Sequence, residues 1–142
     1  MRRFVLPLLL LLAAACASAN RPSTPGRPEV AIRQLGSLFF GSGSTAPITF
    51  EVMVQNVARD PIQLLRVRVE SSPGMAQYST SPVERVFNQT LAPGETKSVS
   101  LVATARTLTR NPTEPLSMRA FVEYSSGGTR HRELYTFFNV GE

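Results

Sequence analysis

The side chains that usually carry catalysis or bind metals are scarce in this chain of 142 residues. Cys16, Asp60 and His131 are each the only residue of their type, and the chain has no tryptophan. A nucleophilic hydrolase needs a nucleophile, a base and an orienting acid, and a zinc or copper site needs several nitrogen or sulfur ligands. His131 lies between Arg130 and Arg132, where we expect a solvent-exposed strand residue. The sequence therefore predicts no enzymatic activity, no metal site and no cofactor.

The basic residues do not form a pattern typical of nucleic-acid binding. The formal net charge is +5, and all but one of the 15 basic residues are arginines. These arginines are dispersed along the chain, whereas nucleic-acid binding needs a concentrated basic stripe. We therefore expect no nucleic-acid partner.

The N-terminal segment has the three-part layout of a secretory signal. Arg2 and Arg3 precede an apolar run from Phe4 to Leu12, and a cluster of small residues follows. The run contains a proline and is shorter than the ~20 apolar residues that span a bilayer, so we do not expect a transmembrane helix. Cys16 stands where this run ends, directly after the sequence Leu-Ala-Ala-Ala.

The context of Cys16 resembles the lipobox of bacterial lipoproteins, in which the cysteine thiol receives a diacylglycerol and the peptide is cut just before it. The resemblance implies a signal peptide over residues 1–15 and lipid attachment at Cys16, with acyl chains such as palmitate. It also implies a protein anchored in the bacterial cell envelope, on the periplasmic side of the outer membrane. A second cleavage site follows Ala17-Ser18-Ala19, and its use would give a secreted or soluble periplasmic protein instead.

The remaining residues divide into a linker and one domain. Residues 16–28 predict a flexible tether, because from Ala17 onward they are low in hydrophobicity and rich in Pro, Ser and Gly. Residues 29–142 are enough for one sandwich domain of ~100 residues. This domain lacks a cysteine pair, so its stability must come from an apolar core rather than from a disulfide.

Alternating apolar and polar residues predict antiparallel strands. The pattern is clearest in Pro47–Asn56, and it recurs in Pro61–Glu70 with a change of parity near Leu64-Leu65 that predicts a β-bulge. Gly127-Gly128 predicts a tight hairpin between the last two strands, Leu116–Tyr124 and Thr129–Val140. The other predicted strands are Val30–Leu35, Leu38–Phe40, Met75–Ser79, Val83–Gln89 and Lys97–Arg106.

Two stretches of the domain carry a family likeness. The string ITFEVMVQNVARDPIQLLRVRVE and the later LAPGETKSVSLVA resemble bacterial immunoglobulin-like and fibronectin-III-like modules. They are also similar to the sandwich of late-embryogenesis-abundant type 2 proteins, where a strand ends in Asn, a Pro-containing turn follows and an L-x-P-G corner opens a later strand. The resemblance implies an all-β, immunoglobulin-like antiparallel β-sandwich of about seven to eight strands.

In such a sandwich the Pro61 strand and the final two strands share one sheet. We expect their outward side chains to form an interaction face of arginine and aromatic residues: Arg66, Arg68, Arg119, Phe121, Tyr135 and Phe137. The alternative is that the arginines pair with Glu70, Glu123 and Glu133 across a solvated sheet.

The functional hypothesis is a membrane-tethered, non-catalytic envelope lipoprotein. Its lipid would bind the membrane, and its sandwich would bind or scaffold another envelope protein. The alternative is a carbohydrate- or small-ligand-binding module, which would need a concave site lined by aromatic residues.

Overall fold

The computed structural model describes residues 26–73, 78–107 and 116–140. The predicted signal peptide, Cys16 and nearly all of the tether lie outside these described residues. Met75, in the predicted strand Met75–Ser79, also lies outside them. These described residues contain eight strands: β1 (Glu29–Leu35), β2 (Thr45–Gln55), β3 (Ile62–Ser71), β4 (Tyr78–Thr80), β5 (Val83–Leu91), β6 (Thr96–Thr107), β7 (Leu116–Ser126) and β8 (Thr129–Val140).

The strands form two sheets that face each other. The first sheet has the order β1-β2-β6-β4, and the second has the order β5-β3-β7-β8. Every pairing is antiparallel. The predicted all-β class and antiparallel sandwich are therefore confirmed.

One apolar core lies between the two sheets. Along β2 every second side chain points inward, and Phe50, Val52 and Val54 are completely buried. The opposite wall comes from β3 and β7, where Val67, Val69 and their neighbours are equally buried. Burying one such side chain contributes roughly 1.5–3 kcal/mol, so this core can stabilise the domain without a disulfide. Its largest fully buried members include Phe50, Ile62, Leu64, Leu91, Leu116 and Met118.

A β-bulge in β3 sets which side chains face outward. The register shifts between Leu64 and Arg66 against both neighbouring strands. This shift lets Leu64 and Val67 both point into the core, although their spacing breaks simple alternation. The predicted bulge is confirmed, and its consequence is that Arg66 joins Arg68 on the outer surface of the second sheet.

The hairpin between β7 and β8 is also as predicted. Gly127 and Gly128 have φ angles of 57° and 80°, which is the backbone of a type I′ turn and strains any residue other than glycine, Asn or Asp. The turn fixes the register of the two strands, which pair from Ser126 and Thr129 onward.

The prediction of a strand over Leu38–Phe40 is wrong. This segment lies in the loop between β1 and β2 and pairs with no strand. Leu38 and Phe40 pack against the core, while Phe39 is 82% exposed. A loop can bury two of three adjacent apolar side chains without pairing to a strand. The apolar content of this segment therefore did not distinguish a loop from a strand.

Candidate interaction face

Four of the predicted face residues come together on the outer surface of the second sheet. Arg66 and Arg68 alternate with buried valines on β3, and Arg119 and Phe121 alternate with buried residues on β7. The register places Arg68 opposite Phe121 on the neighbouring strand. The bulge in β3 and the antiparallel pairing to β7 thus bring these four side chains onto one surface.

The prediction that Tyr135 and Phe137 share this surface is wrong. They lie opposite the buried residues Ala120 and Met118, and both pack against the core. The outward positions of β8 belong to the other parity, so Leu134 lies beside Phe121 on the outer surface.

We call this outer surface the arginine face and define it by residues of all four strands of the second sheet. Its charged members outnumber its apolar ones, and five of them are arginines. The arginine face consists of Arg66, Arg68, Glu70, Glu84, Val86, Arg119, Phe121, Glu123, Arg130, Arg132 and Leu134. Five arginines against three glutamates give it a net charge of +2.

The first acidic anchor of the arginine face is Glu70. It accepts hydrogen bonds from Nη2 of Arg68 at 2.7 Å and from Nη2 of Arg119 at 2.5 Å. Its side chain is only 14% exposed, so these bonds hold both guanidinium groups in place on the sheet. Charge-assisted bonds of this kind are about twice as strong as neutral ones.

The second acidic anchor is Glu123, which lies among three arginines. Arg130 donates to it at 2.7 Å, while the Nε atoms of Arg66 and Arg132 lie 4.0 Å from its oxygens. Arg66 also lies 3.6 Å from Glu84. The expected pairing of face arginines with Glu70 and Glu123 therefore exists, but the glutamates are too few to neutralise the arginines.

Phe121 organises the centre of the arginine face. The guanidinium carbons of Arg119 and Arg132 lie 5.7 Å and 5.0 Å from its ring centroid, within the range of cation–π attraction. Val86 is 67% exposed and Leu134 is 45% exposed on the same face. The arginine face thus combines arginines, an aromatic ring and exposed aliphatic side chains, residue types that are enriched in protein interfaces.

Glu133 does not belong to this network, because it points to the other side of β8 and pairs with Arg27. Arg27 Nε lies 3.3 Å from Glu133, its Nη2 donates to the carbonyl of Leu134 at 2.7 Å, and its guanidinium stacks 4.2 Å from the ring of Tyr135. Tyr135 in turn donates to the carbonyl of Pro28 at 2.5 Å. We call this cluster the N-terminal strap, because it fastens the chain ahead of β1 to β8.

The N-terminal strap gives Tyr135 a structural role in place of the predicted surface role. Burial raises the pKa of its phenol, and Arg27 opposes this effect by hydrogen bonding and by its charge. The neutral phenol is therefore the form that the folded protein favours.

His131 is not a fully solvated strand residue as predicted. It lies on the core-facing parity of β8, opposite Tyr124, and the two rings stack with centroids 5.1 Å apart. Within residues 26–73, 78–107 and 116–140, no group of three or more His, Cys, Asp or Glu side chains could hold a metal ion. The same residues include no helix long and apolar enough to cross a membrane.

The sequence prediction missed Arg130, Arg132 and Leu134. A usable signal was present, because the Gly127-Gly128 turn fixes which positions of β8 lie opposite those of β7. Counting outward from the turn places these residues on the same side as Phe121.

Comparisons with known proteins define the class as an antiparallel β-sandwich and no narrower family. No protein-family model matches the chain, and no curated protein matches its sequence. A Bordetella pertussis protein assigned as ApaA is similar in structure, with a TM-score of 0.56 and 19% identity over 82% of this chain and 94% of that chain. A structural-genomics target has a TM-score of 0.50 with 11% identity, covering 79% of this chain and 85% of its own. These likenesses concern the fold alone.

Proposed function

We propose that the protein is an envelope lipoprotein, anchored through Cys16, whose arginine face binds an acidic surface on another envelope protein. The observation that carries the proposal is the excess of arginines over glutamates on the outer surface of the second sheet, with Arg119 and Arg132 beside the ring of Phe121. The protein catalyses no reaction in this proposal, and it acts by presenting the arginine face at a fixed distance from the membrane.

The composition of the arginine face indicates the chemistry of the partner. Arg130 and Arg132 have side chains that are 66% and 59% exposed, so their guanidinium groups remain accessible to carboxylates. Arginine binds carboxylates through two parallel hydrogen bonds, and a positive surface selects a negative partner. Val86 and Leu134 would add apolar contact beside the ion pairs. We therefore expect a protein partner with clustered Asp or Glu beside aliphatic side chains.

The anchor and the chain that follows it support presentation from a membrane. The lipobox-like context of Cys16 precedes the first described residue, Gly26, by ten residues. A chain of that length spans at most about 35 Å. The tether would thus confine the sandwich to a thin layer next to the membrane, where the effective concentration of a membrane-bound partner is raised.

Site-specific photo-crosslinking in cells tests the binding role. A benzophenone amino acid replaces Leu134 on the arginine face or, as a control, Val57, which is similarly exposed at 40% but lies in the loop after β2. We expect a discrete adduct from position 134 only. Crosslinking of equal strength from both positions, or from neither, would contradict the proposal.

A pair of charge-matched variants tests whether arginines carry the contact. Arg130→Gln with Arg132→Gln reduces the net charge of the arginine face from +2 to zero and should remove the adduct from position 134. Arg59→Gln with Arg106→Gln removes the same charge from exposed positions elsewhere, and should leave the adduct in place. An adduct insensitive to the first pair would show that the arginines do not bind the partner.

The anchor is tested separately by Cys16→Ala in the full chain. We expect the variant to lose its acyl label and to leave the membrane fraction, because diacylglycerol attachment needs the thiol. A variant that keeps a labelled lipid or an unchanged membrane fraction would show that Cys16 is not the anchor.

A further inference from the structure

The first sheet has a long edge that is only partly covered. β6 pairs with β2 over its whole length, but on its other side β4 covers only Ala105–Thr107. Ser81 extends this cover by one residue, since its N–H donates to the carbonyl of Thr104. Within the described part of the chain, no strand pairs with the stretch from Lys97 to Ala103 on this side. We call this stretch the β6 edge.

The direction of the backbone groups along the β6 edge follows from the two ends of the strand. Thr104 exchanges hydrogen bonds with Ser81, on the side away from β2, whereas the N–H of Thr107 donates to Ser44, on the side of β2. Backbone groups alternate sides along an antiparallel strand. The N–H and C=O groups of Ser98, Ser100 and Val102 therefore point away from β2.

The side chains of the β6 edge offer little protection against strand addition. Edge strands usually carry charges that prevent pairing with other chains. The two edge strands of the second sheet carry such charges at exposed positions. These are Glu84 and Arg85 on β5, and Arg130 and Arg132 on β8. The exposed positions of the β6 edge are instead uncharged, and Val102 is 62% exposed.

The β6 edge is complementary to itself. Antiparallel pairing of two copies about Ser100 places Ser98 opposite Val102 on the exposed side and Val99 opposite Leu101 on the core side. Lys97, the only charged residue of the edge, then lies opposite Ala103 instead of its own copy. Like charges are not opposed in this register, so the pairing avoids the cross-strand repulsion that would destabilise it.

We propose that this chain forms a symmetric dimer in which the β6 edges of two copies pair antiparallel about Ser100. The two first sheets become one continuous sheet of eight strands. About six backbone hydrogen bonds join the copies, because each opposed pair of outward-pointing residues exchanges two. Ser81, which covers Thr104, limits the pairing to the stretch from Lys97 to Ala103 and so fixes its register. The dimer uses the first sheet and leaves the arginine face on the second sheet free.

Cysteine crosslinking of the full chain tests the dimer and its register together. In the proposed dimer Ser100 lies opposite its own copy, with Cα atoms about 5.5 Å apart, which a disulfide can bridge. Ser98 lies about 14 Å from its own copy, because the two are offset by four residues along the strands. Mild oxidation of membranes should therefore link Ser100→Cys into dimers and leave Ser98→Cys monomeric. The unsubstituted chain is the control, because any dimer that it forms on oxidation is linked through Cys16, its only cysteine.

A backbone variant provides a second readout that needs no cysteine. Ser100→Pro removes an N–H that points away from β2, so the β2–β6 pairing can persist while two hydrogen bonds of the symmetric dimer are lost. We expect the dimer dissociation constant of the detergent-purified full chain to rise about 10- to 30-fold in sedimentation experiments. Melting curves of the variant test whether the fold persists, and we expect a cooperative transition.

Specific outcomes would overturn the dimer. Equal crosslinking of Ser98→Cys and Ser100→Cys would refute the register. A monomeric mass for the unsubstituted chain, together with no crosslinking of folded Ser100→Cys, would refute self-pairing and leave the edge to a strand of another protein. Both results are independent of crosslinking from position 134, so the dimer and the arginine face can fail separately.

Discussion

Replacement of Asn56 by alanine should lower the free energy of unfolding by about 3–4 kcal/mol. Asn56 follows β2 directly and is completely buried. Its Nδ2 donates to the carbonyls of Asp60 at 2.9 Å and Leu91 at 3.0 Å, and its Oδ1 accepts the N–H of Ala58 at 3.0 Å. One amide side chain thus joins the turn before β3 to the end of β5.

The magnitude follows from these three hydrogen bonds. Each contributes roughly 0.7–1 kcal/mol net, which is about 2–3 kcal/mol together, and a buried carbonyl left without a partner costs about 1 kcal/mol more. The bond from Asn56 to the carbonyl of Leu91 is buried, so its loss in the alanine variant carries this further cost. For a domain of this size 1 kcal/mol corresponds to about 4 °C in Tm, so we expect a fall of about 12–16 °C.

Denaturant and thermal unfolding followed by circular dichroism measure this effect. Gln55→Ala is the neighbouring control, since Gln55 makes a single exposed bond of 3.4 Å to the carbonyl of Gly94, and we expect a loss below about 0.5 kcal/mol. If Asn56→Ala unfolds within about 1 kcal/mol of the unsubstituted chain, the assigned role of the amide is refuted.

Asn56→Asp separates hydrogen bonding from shape. The aspartate can still accept from Ala58, but its second oxygen faces the carbonyls of Asp60 and Leu91, to which an ionised carboxylate cannot donate. Burial and these carbonyls raise the pKa of the new carboxyl, so stability is greatest below the unfolded pKa and falls as pH rises. The variant should therefore be less destabilised at pH 4 than at pH 7. An equal loss at both pH values would contradict this account.

Two further predictions concern the core and the N-terminal strap. Phe50→Ala should cost about 3–5 kcal/mol, against less than about 0.5 kcal/mol for the exposed Val86→Ala, and similar losses in urea unfolding would place Phe50 outside the core. Because burial raises the pKa of Tyr135 above 10.0, the unfolded phenol ionises first and stability should fall as pH rises above about 10. Tyr135→Phe should make this fall shallower, with the remainder due to Tyr124, whose pKa burial also raises. An unchanged slope would contradict the burial of Tyr135.

The strands that the sequence predicted best are those with one face buried in the core and the other face less buried. β2 lies between β1 and β6 and has one face in the core, so its apolar residues Ile48, Phe50, Val52 and Val54 fall on a single parity. The bulge in β3 was predictable for the same reason, because the parity of the buried residues changes within one strand. Alternation predicts structure wherever one face of a strand is fully covered and the other is not.

The prediction was weaker at β8 because this strand lies at the edge of its sheet. Core-facing positions there are only partly covered, so they include His131 and Glu133, while the apolar residues Leu134 and Phe138 occupy exposed positions. Both parities of β8 therefore contain apolar side chains. The contact that fastens Tyr135 comes from Arg27, 108 positions earlier, and alternation within β8 carries no information about this contact.

The strand-ending Asn and the L-x-P-G corner show what a local pattern can and cannot predict. The turn at Pro93-Gly94 was evident, and its positive φ of 79° at Gly94 explains the glycine. What the pattern could not show is that the two motifs meet. The N–H of Gly94 donates to the carbonyl of Asn56 at 2.7 Å, and the N–H of Asn56 donates to the carbonyl of Glu95 at 2.9 Å.

The two proposed surfaces and the proposed anchor fit together on this fold. The N-terminal strap holds the start of the domain beside β1 and β8, whereas the β6 edge lies beyond β2 on the other side of the first sheet. Pairing of β6 edges about an axis perpendicular to the sheet would place both second sheets on the same side. The two arginine faces would then point in one direction. Because a bivalent face binds repeated acidic sites more tightly than a single one, Ser100→Pro should weaken capture of a multivalent partner while leaving the photo-crosslink at position 134 intact.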